Sequence, residues 1–154
     1  ERYYISAEQK WLENSIETWS HFTGIAEQTN TVIVLENVYE TNPSQLLNLI
    51  SAVSSEYLRF CFDTGHHNVF AKSDLDDWNC KLFPYLHQVH VHDNNGATDE
   101  HLPIGSGTFP FERLFGMIRK RELNPIITIE AHSERNLRLS LSNMESMKYL
   151  EPFF

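Results

Sequence analysis

An α/β fold built on a parallel sheet follows from two features of the sequence. Helical and strand patterns alternate from end to end, and four short β-branched runs each reach an acidic residue or a histidine at their C-terminal end. The runs are TVIVLEN with Glu36, LRFCFDTGH with Asp63, HQVHVHD with His90 and PIITIEAH with Glu130. Each is apolar enough to be a buried parallel strand, and a charge at the end of a buried strand needs a partner.

The elements follow in order. Ser6 with Gln9 three residues later is a capping-box signal, and Leu12, Ile16, Trp19, Phe22 and Ala26 recur at helical steps, which predicts a helix of about six turns ending before Asn30. Thr31 to Glu36 is the first strand. Asn42 can cap a second helix with Pro43 at its first position and Leu46, Leu47, Leu49, Ile50 and Val53 on its apolar face. Leu58 to Asp63 is the second strand, followed by a polar loop and a weakly periodic helix over 75–86 with Trp78, Leu82 and Phe83. Gln88 to His92 is the third strand. The stretch from Asp93 to Pro110 is the longest irregular one, a length that in compact domains accompanies function or mobility. Phe111, Leu114, Phe115 and Ile118 mark a helix, Ile126 to Glu130 the fourth strand, and a last helix runs roughly from Glu134 to Leu150.

Four strands that each deliver an ionisable group to the same end favour a barrel over an open doubly wound sheet, which binds ligand at one switch point. The predicted architecture is a (β/α)8 barrel of which this chain supplies about four βα units. A complete barrel needs about 250 residues. Residues 1–154 therefore read as a single domain forming one half of a barrel, with the outer edges of the first and fourth strands unpaired. A fragment of a longer chain, or assembly with a second copy, would complete it; the absence of an initiator Met points to a start within a longer protein.

Composition narrows the function classes. A hydrophobic content of 41% without an apolar run near the ~20 residues of a membrane span predicts a non-membrane protein. The Glu-Arg-Tyr-Tyr start lacks the pattern of a signal peptide. Net charge is −9, with 12 basic residues spread thinly, which argues against nucleic acid as a partner. The 2 cysteines, Cys61 and Cys80, have neither CxxC spacing nor the density of a disulfide scaffold, so a reducing, cytoplasmic location is expected.

Period-two alternation places Val32, Val34 and Glu36 on one face of the first strand, and Ile126, Thr128 and Glu130 on one face of the fourth. Both glutamates can then project inward at the same end. A single strand-end carboxylate has an ordinary reading as a cap or ion-pair partner. Four such groups together, Glu36, Asp63, His90 and Glu130, predict a divalent metal site.

The motifs VLEN, FDTGHHN, HVHD, DEHLPIGSGTFPF and ITIEAH resemble those of the xylose isomerase-like barrels, a group containing sugar phosphate isomerases and epimerases and the endonuclease IV class of abasic-site endonucleases. The likeness covers nearly the whole chain from Thr31 onward, as the C-terminal half of such a barrel. By this resemblance Glu36, Asp63, His90 and Glu130 hold one divalent metal (Mn, Zn, Co or Mg), and Glu36 and Glu130 exchange protons with a sugar or sugar-phosphate substrate through an enediolate. His66, with Asn37 and His92, would contact substrate; His92 shares a face with His90 and could equally support a ligand from behind. In endonuclease IV relatives the counterparts of His66, Asp99 and His101 hold a further zinc, so a second metal site is an alternative for that trio.

Three functions are thus expected in order: a metal-dependent sugar isomerase or epimerase; a zinc-dependent abasic-site endonuclease, disfavoured by charge and by the lack of Lys and Arg between Asp93 and Pro110; and a half barrel that binds metal or a partner without turnover. Gly105, Ser106 and Gly107 could cradle a phosphate through backbone N–H groups, or simply form a tight turn. His21, His67, His87 and His132 read as surface or packing residues, and Trp11, Trp19 and Trp78 as helix-face residues buried against the barrel.

Overall fold

The computed structural model describes residues 6–148. Helix α1 (Ala7–Thr29) begins at Ser6, whose hydroxyl accepts from the Gln9 backbone N–H at 3.1 Å, and ends at Asn30 in the left-handed conformation. Its inner stripe is Leu12, Ile16, Trp19, Thr23 and Ala26. Two expectations are corrected here. Phe22 is 47% exposed, with Thr23 taking the inward position beside it, and Trp11 is exposed too.

Four strands, β1 (Ile33–Glu36), β2 (Leu58–Asp63), β3 (Leu86–Val91) and β4 (Ile126–Ile129), form one parallel sheet in the order β1-β2-β3-β4. Between β1 and β2 lies α2 (Ser44–Val53). Asn42 Oδ1 accepts from Ser44 N at 3.0 Å while the Pro43 carbonyl receives Leu47 N, so the expected cap acts with the helix assigned one residue later. The stretch after β2 is not a loop. Asp63 caps a short helix, α3 (Thr64–Phe70), by accepting His66 N at 2.7 Å.

The next helix, α4 (Leu75–Lys81), stops well before Leu86, and Phe83–Tyr85 form a 3-10 turn. Pro84 accounts for the break, because the residue before a proline disfavours the α conformation. Helices α5 (Phe111–Lys120) and α6 (Glu134–Ser146) flank β4; the expected end of α6 near Leu150 lies outside the described residues.

One face of the sheet, with Leu35, Phe60, Phe62, Val89 and Val91, is buried against Leu46, Leu49, Ile50, Trp78, Leu82, Phe83, Leu114, Phe115 and Ile118. The opposite face carries Val34, Cys61, Gln88, His90 and Thr128, and is open at its edges, where Val32 is 36% and Ile126 57% exposed. No helix among the described residues is long and apolar enough to cross a membrane.

The register has a stagger that the alternation did not reveal. Glu36 pairs with Cys61, Cys61 with Gln88, and Gln88 with Ile126, whereas Asp63 pairs with His90 and His90 with Thr128. The strand-end groups therefore climb from β1 to β4 rather than lying in one row. A register shift at Phe60/Cys61 contributes to the offset. Tilted, staggered strands are what closing a sheet into a barrel requires.

Candidate functional site

Strands β1 and β3 are two steps apart, roughly 10 Å in a flat sheet. Yet Glu36 Oε2 of β1 lies 3.3 Å from His90 Nδ1 of β3, while Glu130 Oε1, just past β4, lies 2.9 Å from the same nitrogen. The curl of the sheet brings these side chains to one point. Asp63 Oδ2 is 3.9 Å from His90 Nδ1, so all four groups expected at a metal site meet there.

The orientation of these groups is informative. His90 Nδ1 is buried and close to two carboxylates, but makes no hydrogen bond of acceptable angle. Donor atoms of Asp63, His90 and Glu130 lie within 4.8 Å of one another, as do those of Glu36, Cys61 and His90. Carboxylate oxygens and an imidazole nitrogen that converge without bonding one another suit a divalent cation. This donor set fits the metal expected from the sequence.

Electrostatics point the same way. Burial pushes the Glu36 carboxyl up, but hydrogen bonds from His66 and His90 prevail and hold its pKa at about 2. His66 is raised to about 9, chiefly by its bond to Glu36 and against the effect of burial; His90 is also raised, first by Glu36. Two imidazolium protons thus balance the carboxylates where a cation would otherwise do so. The Cys61 thiol is pushed upward by burial, with the Glu36 and Asp63 charges adding.

Behind this centre, side chains hold Asp63. Asn37 donates to the Asp63 carbonyl at 3.0 Å and accepts its N–H at 2.9 Å. His92 Nε2 lies 2.9 and 3.1 Å from the two Asp63 carboxylate oxygens. Both residues are almost wholly buried. The substrate contact expected of them is corrected accordingly: their polar atoms serve Asp63, whereas His66, at 2.9 Å from Glu36 Oε1, keeps a partly open position. Gln88 Nε2 lies 3.0 Å from His90 Nε2 and donates to Thr128 Oγ1 at 2.8 Å, fixing the imidazole from the side away from the carboxylates.

His66, Asp99 and His101 also come together. Asp99 Oδ2 is 3.3 Å from His66 Nε2 and 3.2 Å from His101 Nε2, and its Oδ1 is 3.6 Å from His92 Nδ1. The buried atoms His92 Nδ1, Asp99 Oδ1 and His101 Nδ1 have no hydrogen-bond partner, and His92, Asp99 and His101 form a further group able to hold a metal. The His101 ring is stacked between His92 at 3.8 Å and His132 at 3.9 Å, on a backbone with φ of 49°.

The glycine turn departs from one expectation. Gly105 N and Gly107 N donate to Asp93 Oδ2 at 3.1 and 2.8 Å, while Asn94 N and Phe109 N donate to Oδ1 at 2.9 and 3.1 Å. The cradle suggested for phosphate is filled by a buried carboxylate of the chain itself. With the Asp93–Leu102 bridge and the Asn68 bonds to Asn94 and Thr108, this organises the long 93–110 segment.

Sequence reading missed four contributors. Gln88 was accessible from period two, as it shares a face with His90. Gly65 matters because a Cβ there would overlap the His92 ring. The Asp93 cradle and the His132 stack depend on loop paths that carry no periodicity.

Similarity to known proteins agrees with this geometry. A sequence model of the xylose isomerase-like TIM barrel family matches residues 4–151. The uncharacterized protein MJ1311 of Methanocaldococcus jannaschii is 32% identical over 148 residues, covering 91% of this chain and 50% of its own. A D-tagatose 3-epimerase-like protein has a crystal structure that matches with a TM-score of 0.77 and 30% identity, over 92% of this chain and 55% of that one. The IolI protein, solved with a bound zinc atom, shares the fold at a TM-score of 0.73 and 15% identity, over 97% and 59%. The chain spans about half the length of the curated relatives it matches. A curled parallel sheet with its acidic and histidine side chains gathered at the strand ends, and a family match running through nearly every residue, lead to one assignment: the chain belongs to the xylose isomerase-like TIM barrel family.

Proposed function

We propose that residues 1–154 form one domain, the C-terminal half of a barrel, and carry the site of a divalent-metal-dependent sugar isomerase or epimerase. The observation that carries this reading is the convergence of Glu36 and Glu130, from opposite edges of the sheet, on the His90 imidazole beside buried Asp63. The similarity to a D-tagatose 3-epimerase-like protein supports the sugar reading. Glu36, Asp63, His90 and Glu130 would hold the cation, which when bound supplies positive charge to stabilise the anion that develops on substrate oxygen.

The remaining work falls to the chain. Glu36 and Glu130 approach from two sides, so one can take a proton from the carbon next to a carbonyl while the other returns a proton to the opposite face. His66 orients Glu36 and is placed to hydrogen-bond a substrate hydroxyl. Asn37 and His92 fix Asp63, and Gln88 fixes His90.

A second reading, zinc-dependent phosphodiester hydrolysis, is favoured by the His92, Asp99 and His101 group with its unpartnered buried atoms. Metal content per chain separates the two: one ion of manganese, cobalt or zinc fits the isomerase, and two or three zinc ions fit the hydrolase. In metal-loaded protein offered ketoses in deuterated water, Glu130→Gln is expected to abolish deuterium entry at the carbon beside the carbonyl while leaving the circular-dichroism spectrum unchanged. Retained exchange would remove Glu130 from the mechanism.

A further inference from the structure

We infer that the substrate is an uncharged ketose rather than a sugar phosphate, because the loops after β3 and β4 meet their own anion-binding groups with carboxylates of this chain. The inference rests on the isomerase reading and on the chain's being the C-terminal half of the barrel. In barrels of this class a substrate phosphate is commonly held by the loops after the last two strands and a helix N-terminus close by. Here those loops are the segment from Asp93 to Pro110 and the turn from Glu130 into α6.

In the first loop, the N–H groups of Asn94, Gly105, Gly107 and Phe109 would otherwise make an anion cradle. All four donate to the buried carboxylate of Asp93. No space is left for a competing oxyanion, since even a Cβ at Gly107 would overlap the Asn94 carbonyl. In the second, Ser133 accepts Asn136 N at 3.1 Å and Glu134 occupies the first turn of α6. A carboxylate in that first turn complements the helix dipole and opposes a second anion. Arg135, the cation nearest in sequence, is exposed.

The neighbouring groups continue the pattern. Glu36, Asp99 and Glu130 reach the open side of the site, so a phosphate dianion would enter a field of like charge. On the His66 side, Phe70 lies 6.2 Å from the His66 ring and packs edge-on against Tyr39 at 5.0 Å. The Tyr39 ring is exposed, which offers an apolar surface to the C–H face of a neutral sugar.

The test pairs free D-fructose and D-ribulose with their terminal phosphate esters on the metal-loaded protein, reading deuterium entry at the carbon beside the carbonyl. A free sugar is expected to be converted with kcat/KM roughly tenfold or more above its ester, in keeping with the cost of like-charge contact. Calorimetric titration of the metal-free chain with inorganic phosphate is expected to show no saturable binding. Preference for the ester, or saturable phosphate binding, would overturn the inference and leave the isomerase reading standing. No conversion of either form, with the metal site filled, would overturn the isomerase reading and the inference with it.

Discussion

Within the site, single atoms set the geometry, and two substitutions test this. Gln88 touches the His90 nitrogen that faces away from the carboxylates. A metal-bound imidazole depends on such a partner for its tautomer and ring orientation. Gln88→Leu is therefore expected to weaken metal affinity roughly 10–100-fold without unfolding the chain, as measured by competition with a chelating dye. Gly65 acts through close approach, since its Cα lies against the His92 ring and leaves no room for a methyl group. Gly65→Ala should displace His92 from Asp63 and cost about 1–3 kcal/mol in denaturant unfolding, as overpacking does. An unchanged midpoint would mean that the helix shifts freely, and His92 would then lose its place as the support of Asp63.

Among the elements, α3 shows both what the sequence made legible and what it hid. The strands and their terminal groups were readable because period two sorts Glu36 and Glu130 onto the inner face whatever the tertiary context. The helix after Asp63 was not: Gly65, Asn68 and the β-branched Val69 give it low propensity, and it forms because Asp63 caps it and its residues pack. The stagger of the site was hidden too, since it depends on a register shift at Phe60/Cys61 that leaves no compositional mark. The same helix carries a pH-dependent stability. His67 is enclosed by the rings of Phe62, Trp78 and Phe109, and burial, opposed by Asp74 and aided by Arg113, lowers its pKa to about 4. In the unfolded chain the imidazole takes its proton near its ordinary value of 6.5, so between 6.5 and about 4 the unfolded state binds the proton and the folded state does not. The stabilisation is present above that window and is lost as pH falls through it, by about 3 kcal/mol in full. His67→Phe should flatten this part of the stability profile in urea unfolding at several pH values; an unaltered profile would assign the acid sensitivity elsewhere.

For the molecule as a whole, the outer edges of β1 and β4 lack strand partners among the described residues, and the inner face between them exposes Val32 and Ile126. Unpaired edges beside an apolar face favour association. Light scattering is expected to show a mass that rises with concentration above the 18.0 kDa of one chain, and Ile126→Lys should suppress the rise. A mass that stays monomeric at every concentration would show that these edges do not associate. The curl of the sheet has a mechanical consequence as well. Glu36 and Glu130 stand at its two margins and reach for the same imidazole, so an ion gripped by both would act as a clasp drawn across the trough. Its occupancy would set how far apart the margins stand, and with that the shape offered to whatever closes the other side. Metal loading and assembly then become two readings of one spring.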